Sequence, residues 1–269
     1  MEAGISSYTF PWAVNGQDSG TPGKLTAAGL LDIAIQHAIK FVQFGDNLPL
    51  HALPADELHG IKETAVRNGI GIQPGTRRLC MENIARYTGL AQFFDAPFIR
   101  MVIDDAGYYP GVTEIIRIIK AALPLLAQNG VVLAIENHDR FPAATLQRII
   151  METDPGLVGV CLDTANSLGA GEGVNEVLQA LAPYTVNLHI KDIRIDRVEH
   201  KMGFVVQGAA AGDGMIDIPA IIGYLKQTGR CKTATLEVWS NPLENIARTL
   251  SNEKLLAEKS IHYLKQILI

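Results

Sequence analysis

Three observations predict a single α/β domain, a (β/α)8 barrel spanning residues 1–269. About eight short runs of aliphatic and β-branched residues alternate with segments of helical periodicity, the number a closed parallel barrel requires. Hydrophobic residues make up 48% of the chain and aromatic ones only 6%, which suits a barrel packed with Val, Ile, Leu and Ala better than a β-sandwich. No Pro/Ser-rich linker or low-complexity stretch divides the chain. The alternative, a doubly wound open sheet, would show a glycine-rich phosphate loop after its first strand, and the sequence has none there.

The elements follow in order. Residues 3–8, AGISSY, read as a first strand, and Phe10-Pro11-Trp12 with the Gly/Ser/Asp-rich 15–24 as a loop. Leu25–Lys40 is helical, with Leu30, Ile33, Ala34 and His37 on one face. Phe41–Phe44 is a strand broken by Gly45-Asp46-Asn47, and Pro54–Asn68 a helix with an acidic first turn, stopped by Gly69. Ile70–Gln73 reads as a strand ended by a turn at Pro74-Gly75, Leu79–Phe94 as a helix, and Pro97–Ile103 as a strand with Arg100 embedded in it. Val112–Gln128 is a helix in which Pro124 marks a kink or the last turn, capped by Asn129-Gly130. Strands at 131–136, 158–162, 185–190 and 233–237 then alternate with helices at 143–151, 174–182 and 218–228. A long loop covers 191–216, and a helical region runs from about Leu243 to the end.

The net charge of −5 gives no nucleic-acid footprint. Cys80, Cys161 and Cys231 are too few and too scattered for a disulfide framework or a cysteine zinc site, so a reducing, cytoplasmic setting is expected. MEAGISSYTF lacks the basic and apolar regions of a signal peptide. The apolar stretch 115–135 is interrupted by Arg117, Lys120 and Pro124, so no membrane association is expected.

Four of the apolar runs end in, or beside, a metal-ligating residue: Glu136 in VVLAIENHDR, Asp163 in VGVCLDTANS, His189 in TVNLHIKDIR and Glu237 in TATLEVWSN. They are 27, 26 and 48 residues apart; the first two intervals each match one strand–helix repeat, and the 191–216 loop lengthens the third. On these counts the four close strands five to eight, at the barrel end where active sites are built. Each alone has an ordinary reading: a solvated carboxylate, a turn cap for Asp163, a core histidine for His189. Four in phase point to one divalent cation. Oxygen-rich coordination with one nitrogen suits Mn2+ or Mg2+, with Co2+ also possible, better than structural zinc.

IENHDR, CLDTANS, LHIKD and LEVW, with Gly212–Asp217 before a late helix, resemble the xylose-isomerase-like barrel superfamily. That group is also labelled sugar phosphate isomerase/epimerase-like and includes endonuclease IV. The resemblance covers most of the chain and is sharpest from 131 to 239. It implies a divalent metal on the Glu, Asp, His, Glu set, with Glu136 and Glu237 as catalytic acid and base. The sequence departs from the epimerases at Asn166, where many relatives have histidine, and in the spacing of Arg194 from the metal-binding histidine. His138 matches relatives that do lyase chemistry, including dehydroshikimate dehydratases and C-glycoside-cleaving enzymes.

These residues suit enediolate chemistry. A chelated carbonyl and neighbouring hydroxyl are polarised while a glutamate removes the intervening proton. A sugar isomerase or epimerase is the first expectation. A decarboxylase of a 3-oxo sugar acid, or another lyase, is the alternative, and a non-catalytic sugar-binding barrel a further one. An endonuclease would need several more strand-end histidines. Arg194, Arg197, His200 and Lys201 form a basic loop that either holds an anionic substrate or is simply solvated. The glycine-rich 203–214 reads as a mobile lid or a surface hairpin. Lys191 orients substrate or pairs with Asp163 or Asp192, and Asn166 is a further substrate-binding candidate. Tyr8, Trp12 and Trp239 form an apolar wall for a sugar or are ordinary packing. The expected partner is a small sugar or sugar acid, with a homo-oligomer possible as in many relatives.

Overall fold

The β-branched runs pair in parallel around a closed ring in the computed structural model, which describes residues 1–15 and 24–268. The barrel strands are β1 (Glu2–Ser6), β2 (Phe41–Phe44), β3 (Gly71–Arg77), β4 (Phe98–Val102), β5 (Val132–Glu136), β6 (Val158–Asp163) and β7 (Thr185–Ile190). A hairpin, β8 (Asp192–Arg197) with β9 (Phe204–Ala209), follows, and then the last barrel strand, β10 (Thr233–Leu236). The ring closes where β1 pairs with β10, Glu2 opposite Thr233 and Ile5 opposite Leu236. This is a single (β/α)8 barrel.

The helices are α1 (Pro11–Asn15), α2 (Ala27–Gln36), α3 (Ala55–Asn68), α4 (Met81–Phe93), α5 (Val112–Asn129), α6 (Ala143–Met151), α7 (Val174–Leu181), α8 (Ile218–Thr228) and α9 (Ile246–Ile267). Their ends obey local chemistry. Asp217 caps α8 by accepting from Ala220 N at 3.0 Å, and Gly69 and Gly130 close α3 and α5 in the left-handed conformation. Among the described residues no helix is long and apolar enough to cross a membrane.

Four expectations are corrected. The strand expected to stop at Gln73 continues through Pro74-Gly75 to Arg77, because Gly75, Thr76 and Arg77 pair with Arg100, Met101 and Val102 of β4. The glycine marks a close approach and not a turn: a Cβ there would lie 2.9 Å from the Phe44 carbonyl oxygen and 3.2 Å from Arg100 Cδ. The 191–216 segment holds the β8–β9 hairpin, and Gly208 lets it lie against the 239 backbone, since a Cβ would sit 1.8 Å from the Trp239 carbonyl oxygen. Part of the expected first loop is the short helix α1, while most of 15–24 lies outside the described residues. Pro124 lies inside its helix, which runs on to Asn129, so it does not mark the last turn.

The inward residues depart from a purely aliphatic filling. Gln43 Nε2 donates to Gln73 and Asn187 at 3.2 and 3.3 Å, and Asn187 Nδ2 donates to the hydroxyls of Thr233 and Thr235 at 2.7 and 3.0 Å. Such a buried network is tolerable because its members satisfy one another. It lies within the parallel ring whose strand ends carry the polar residues described next.

Candidate metal centre

Parallel strands deliver their carboxyl ends to one mouth. Glu136 is the last residue of β5, Asp163 the last of β6, His189 the penultimate residue of β7, and Glu237 the first after β10. One ligand atom from each lies within 4.8 Å of the others, and all four residues are buried. Asn137 holds two of these strand ends in register: its Oδ1 accepts from Asp163 N at 2.7 Å and its Nδ2 donates to Asp163 O at 2.9 Å. Asp163 also caps the following turn, Oδ1 accepting from the amides of Ala165 and Asn166 at 2.7 and 2.8 Å. Its other oxygen faces the cluster, so the turn cap is present and leaves that oxygen available for a ligand role.

The cluster is held by cations. Arg100 Nε donates to Glu136 Oε2, and Arg100 Nη1 lies 2.8 Å from Asp46 Oδ1. Glu136 Oε1 accepts from Asn166 Nδ2 at 2.9 Å and lies 3.1 Å from His138 Nε2. Burial alone would raise the Glu136 pKa; Arg100, with His189 and His138, holds it well below the usual carboxylate range. Lys191 Nζ bridges Asp163 Oδ2 at 2.9 Å and Glu237 Oε2 at 3.1 Å. Burial would lower its pKa, but Asp163, Glu237 and Glu136 raise it above the ordinary lysine value, so the amine stays charged. Tyr8 donates to Asp46 at 2.9 Å, and burial with the Asp46 charge pushes its phenol up.

The residues fit a divalent cation. His189 is fully buried, with Nδ1 3.5 Å from Glu136 Oε2 and 3.4 Å from Glu237 Oε1. Among the described residues neither of its ring nitrogens has a hydrogen-bond partner. A buried polar atom left so costs about 1–3 kcal/mol. A cation among Nδ1 and the three carboxylates removes that cost at Nδ1, and hard oxygen donors with one imidazole suit such an ion.

A cavity of about 830 Å3 opens on the cluster, lined by Tyr8, Trp12, Asn166, Lys191, Glu237 and Trp239 among others. A smaller one of about 360 Å3 reaches Glu136 and His138 from the side of Arg77 and Arg140. Lys191, Asn166, Tyr8 and Trp239 thus line the larger cavity, and His138 the smaller. Arg194 and His200 do not line either one: Arg194 pairs with Asp196 at 2.8 Å on the exposed hairpin, and His200 lies at its turn. The hairpin contributes Val206 to the wall instead. Sequence reasoning gave no role to Arg100, Asp46 or Asn137. An arginine inside FIRMV was the available sign for the first; nothing in Gly45-Asp46-Asn47 distinguished Asp46 from a turn residue.

Residues 22–267 match the sequence model described as the xylose isomerase-like TIM barrel. The chain belongs to that family. It is 28% identical over 264 residues to the 3-oxo-isoapionate decarboxylase of Pectobacterium atrosepticum, covering 98% of this chain and 95% of that one. Among solved structures it superposes on D-psicose 3-epimerase of Clostridium cellulolyticum H10, with D-tagatose, at a TM-score of 0.73 and 16% identity, covering 100% of this chain and 99% of that one. A xylose isomerase-like barrel of Mycobacterium smegmatis in complex with magnesium gives a TM-score of 0.69 at 15% identity, covering 98% and 97%. At these identities the structural likeness is one of fold.

Proposed function

We propose that this protein is a divalent-metal-dependent enzyme acting on the carbonyl group of a sugar or sugar acid through an enediolate or enolate. The observation that carries this reading is the convergence of Glu136, Asp163, His189 and Glu237 within 4.8 Å of one another, with Glu237 in the wall of the large cavity and Glu136 in that of the smaller one. These four would hold Mn2+ or Mg2+, with Co2+ as a third option. Once bound, the ion supplies Lewis acidity toward a carbonyl and an adjacent hydroxyl.

The surroundings of the two glutamates favour decarboxylation of a 3-oxo sugar acid. Glu136 has both oxygens engaged, one by Arg100 and the other by Asn166 and His138, which suits a fixed charge more than a proton carrier. Glu237 faces the cavity beside the charged Lys191 amine. In this reading Lys191 orients the substrate carboxylate. The bond to that carboxylate breaks, CO2 departs, and the electron pair passes into the enolate. A proton from solvent, relayed through Glu237, then takes the place of the lost carboxylate on that carbon. The full-length similarity to a decarboxylase supports the same choice. Epimerisation is the second reading, supported by the approach of Glu136 and Glu237 from strands separated by β6 and β7, an arrangement two-base exchange requires.

The test is carbon NMR of metal-loaded enzyme in deuterated water against ketoses and 3-oxo sugar acids. CO2 release, with deuterium entering at the vacated carbon, is expected. Exchange at the carbon beside the carbonyl without CO2 establishes the epimerase, and neither outcome with either class sinks the enzyme reading.

A further inference from the structure

Glu253 is a buried carboxylate that the proposed chemistry does not use. It stands on α9 at 1% exposure, and its two oxygens accept from the backbone amides of Trp12 and Ala13 at 2.7 and 3.0 Å. Those amides belong to the first turn of α1, where helical N–H groups have no partner of their own. Glu253 therefore caps a helix 240 residues away in the chain. The capped turn carries the indole of Trp12, which lines the large cavity and donates through Nε1 to Ser240 O at 3.0 Å.

The joint has an opening behind it. A separate cavity of about 350 Å3, lined by Phe10, Ala13 and Leu25 among others, reaches Glu253. The titratable groups facing it are His37 after α2 and Lys254 and Glu258 on α9; α1 carries none. Among the described residues none of them forms an ion pair with Glu253. We propose that Glu253 is a positioning residue for the Trp12 wall of the pocket, and that its protonation state sets how firmly α1 is docked.

The sign follows from linkage. Burial pushes Glu253 up to about 7, against the pull of the two amides. In water the same group has a pKa of about 4.3. The docked form thus binds the proton more tightly than a form in which Glu253 is hydrated. Docking is strongest below the hydrated pKa and weakens as pH rises through about 7.

The chain has two tryptophans, so Trp239→Phe leaves Trp12 as the single indole reporter. Acrylamide quenching of Trp12 in this variant is expected to rise with pH, with a midpoint near 7. Adding Glu253→Gln, which keeps one neutral acceptor for the two amides, is expected to abolish the titration and hold quenching at one level, below that of Glu253→Ala, at every pH. Adding Glu253→Ala is expected to give the high level at every pH. A Trp12 signal that does not titrate, or a titration that persists with Glu253→Gln, overturns the proposal. Hydrogen exchange of the unmodified protein is the second measurement and needs no variant to fold. The Trp12 and Ala13 amides should lose protection across neutrality beyond the ordinary base-catalysed increase, and protection that follows that increase alone refutes the coupling. The consequence for substrate rests on the function proposed above: KM rises on the alkaline side more than kcat changes, and Glu253→Gln removes the rise. Quenching and exchange are read without substrate, so their failure is separate from failure of the enzyme assignment.

Discussion

Arg100 reaches from β4 to donate through Nε to Glu136, the last residue of β5 and one of the four clustered residues. The guanidinium is almost fully buried, and its other arm pairs with Asp46. Its charge is the main compensation for both carboxylates, beside Arg77 at 3.5 Å from Asp46 and His138 at 3.1 Å from Glu136. Removing one partner of a buried pair costs about 3–5 kcal/mol. Arg100→Met should lower unfolding free energy by about that amount in a urea titration, and Arg100→Lys by less, because the charge returns without the planar fork. A loss below about 1 kcal/mol in Arg100→Met would show that the pair contributes little.

Acid unfolding should follow the same pair. Burial raises Asp46 and Glu136, but Arg100 outweighs it and both are held below the usual range. A depressed carboxylate adds stability that is complete above its unfolded pKa, about 3.9 for Asp and 4.3 for Glu, and lost as pH falls toward the folded value. The unfolding midpoint on acid titration of the metal-free protein, followed by circular dichroism, should therefore move to higher pH in Arg100→Met. An unmoved midpoint would argue against this origin.

Metal affinity should depend on the clamp as well as on the ligands. Asp163→Asn removes one ligand charge while its amide oxygen can still cap the Ala165 and Asn166 amides. Asn137→Ala leaves all four ligands but releases β5 from β6. Calorimetric titration with Mn2+ should show Asn137→Ala weaker by about 10–100-fold, the range for residues that orient ligands, and Asp163→Asn weaker still. Chelation should lower the thermal midpoint of the native protein, and saturating metal at about 100 times Kd should restore about 2.7 kcal/mol.

Glu237→Gln should abolish turnover while leaving the folded circular dichroism spectrum intact, since the amide keeps the volume and loses the proton-carrying group. Glu136→Gln should also lose turnover, but with a larger loss of metal affinity and of stability, because Arg100 then keeps only Asp46 as an anionic partner. Equal behaviour of the two variants in both measurements would remove the asymmetry on which the decarboxylase reading leans.

Arg194→Ala should change KM for an anionic substrate by less than about twofold and stability by no more than about 1 kcal/mol, as for an exposed ion pair. Its partner is Asp196 on the same hairpin strand, and it lies outside the cavity wall. A large selective rise in KM for anions would mean that the hairpin brings Arg194 to the substrate.

The barrel and its four clustered residues were legible in the chain because both depend on local, repeating patterns. An apolar run of strand length carries its own periodicity, and a ligand at its end inherits its position from parallel topology. That is why Glu136, Asp163, His189 and Glu237 were found without coordinates. Pro74-Gly75 misled for the same reason: read locally they are a turn, whereas pairing with β4 keeps them in the strand. The partners of the site were not legible. Arg100 meets Asp46 across 54 residues, Lys191 spans Asp163 and Glu237, and Glu253 caps α1 from the far end of the chain. Which charge faces which depends on closure of the ring and on how far each side chain reaches, and neither quantity is written in residue order. The sequence alone determined which chemical groups stand at the barrel mouth; only the tertiary structure decided what compensates them, because electrostatic pairing depends on distance in space.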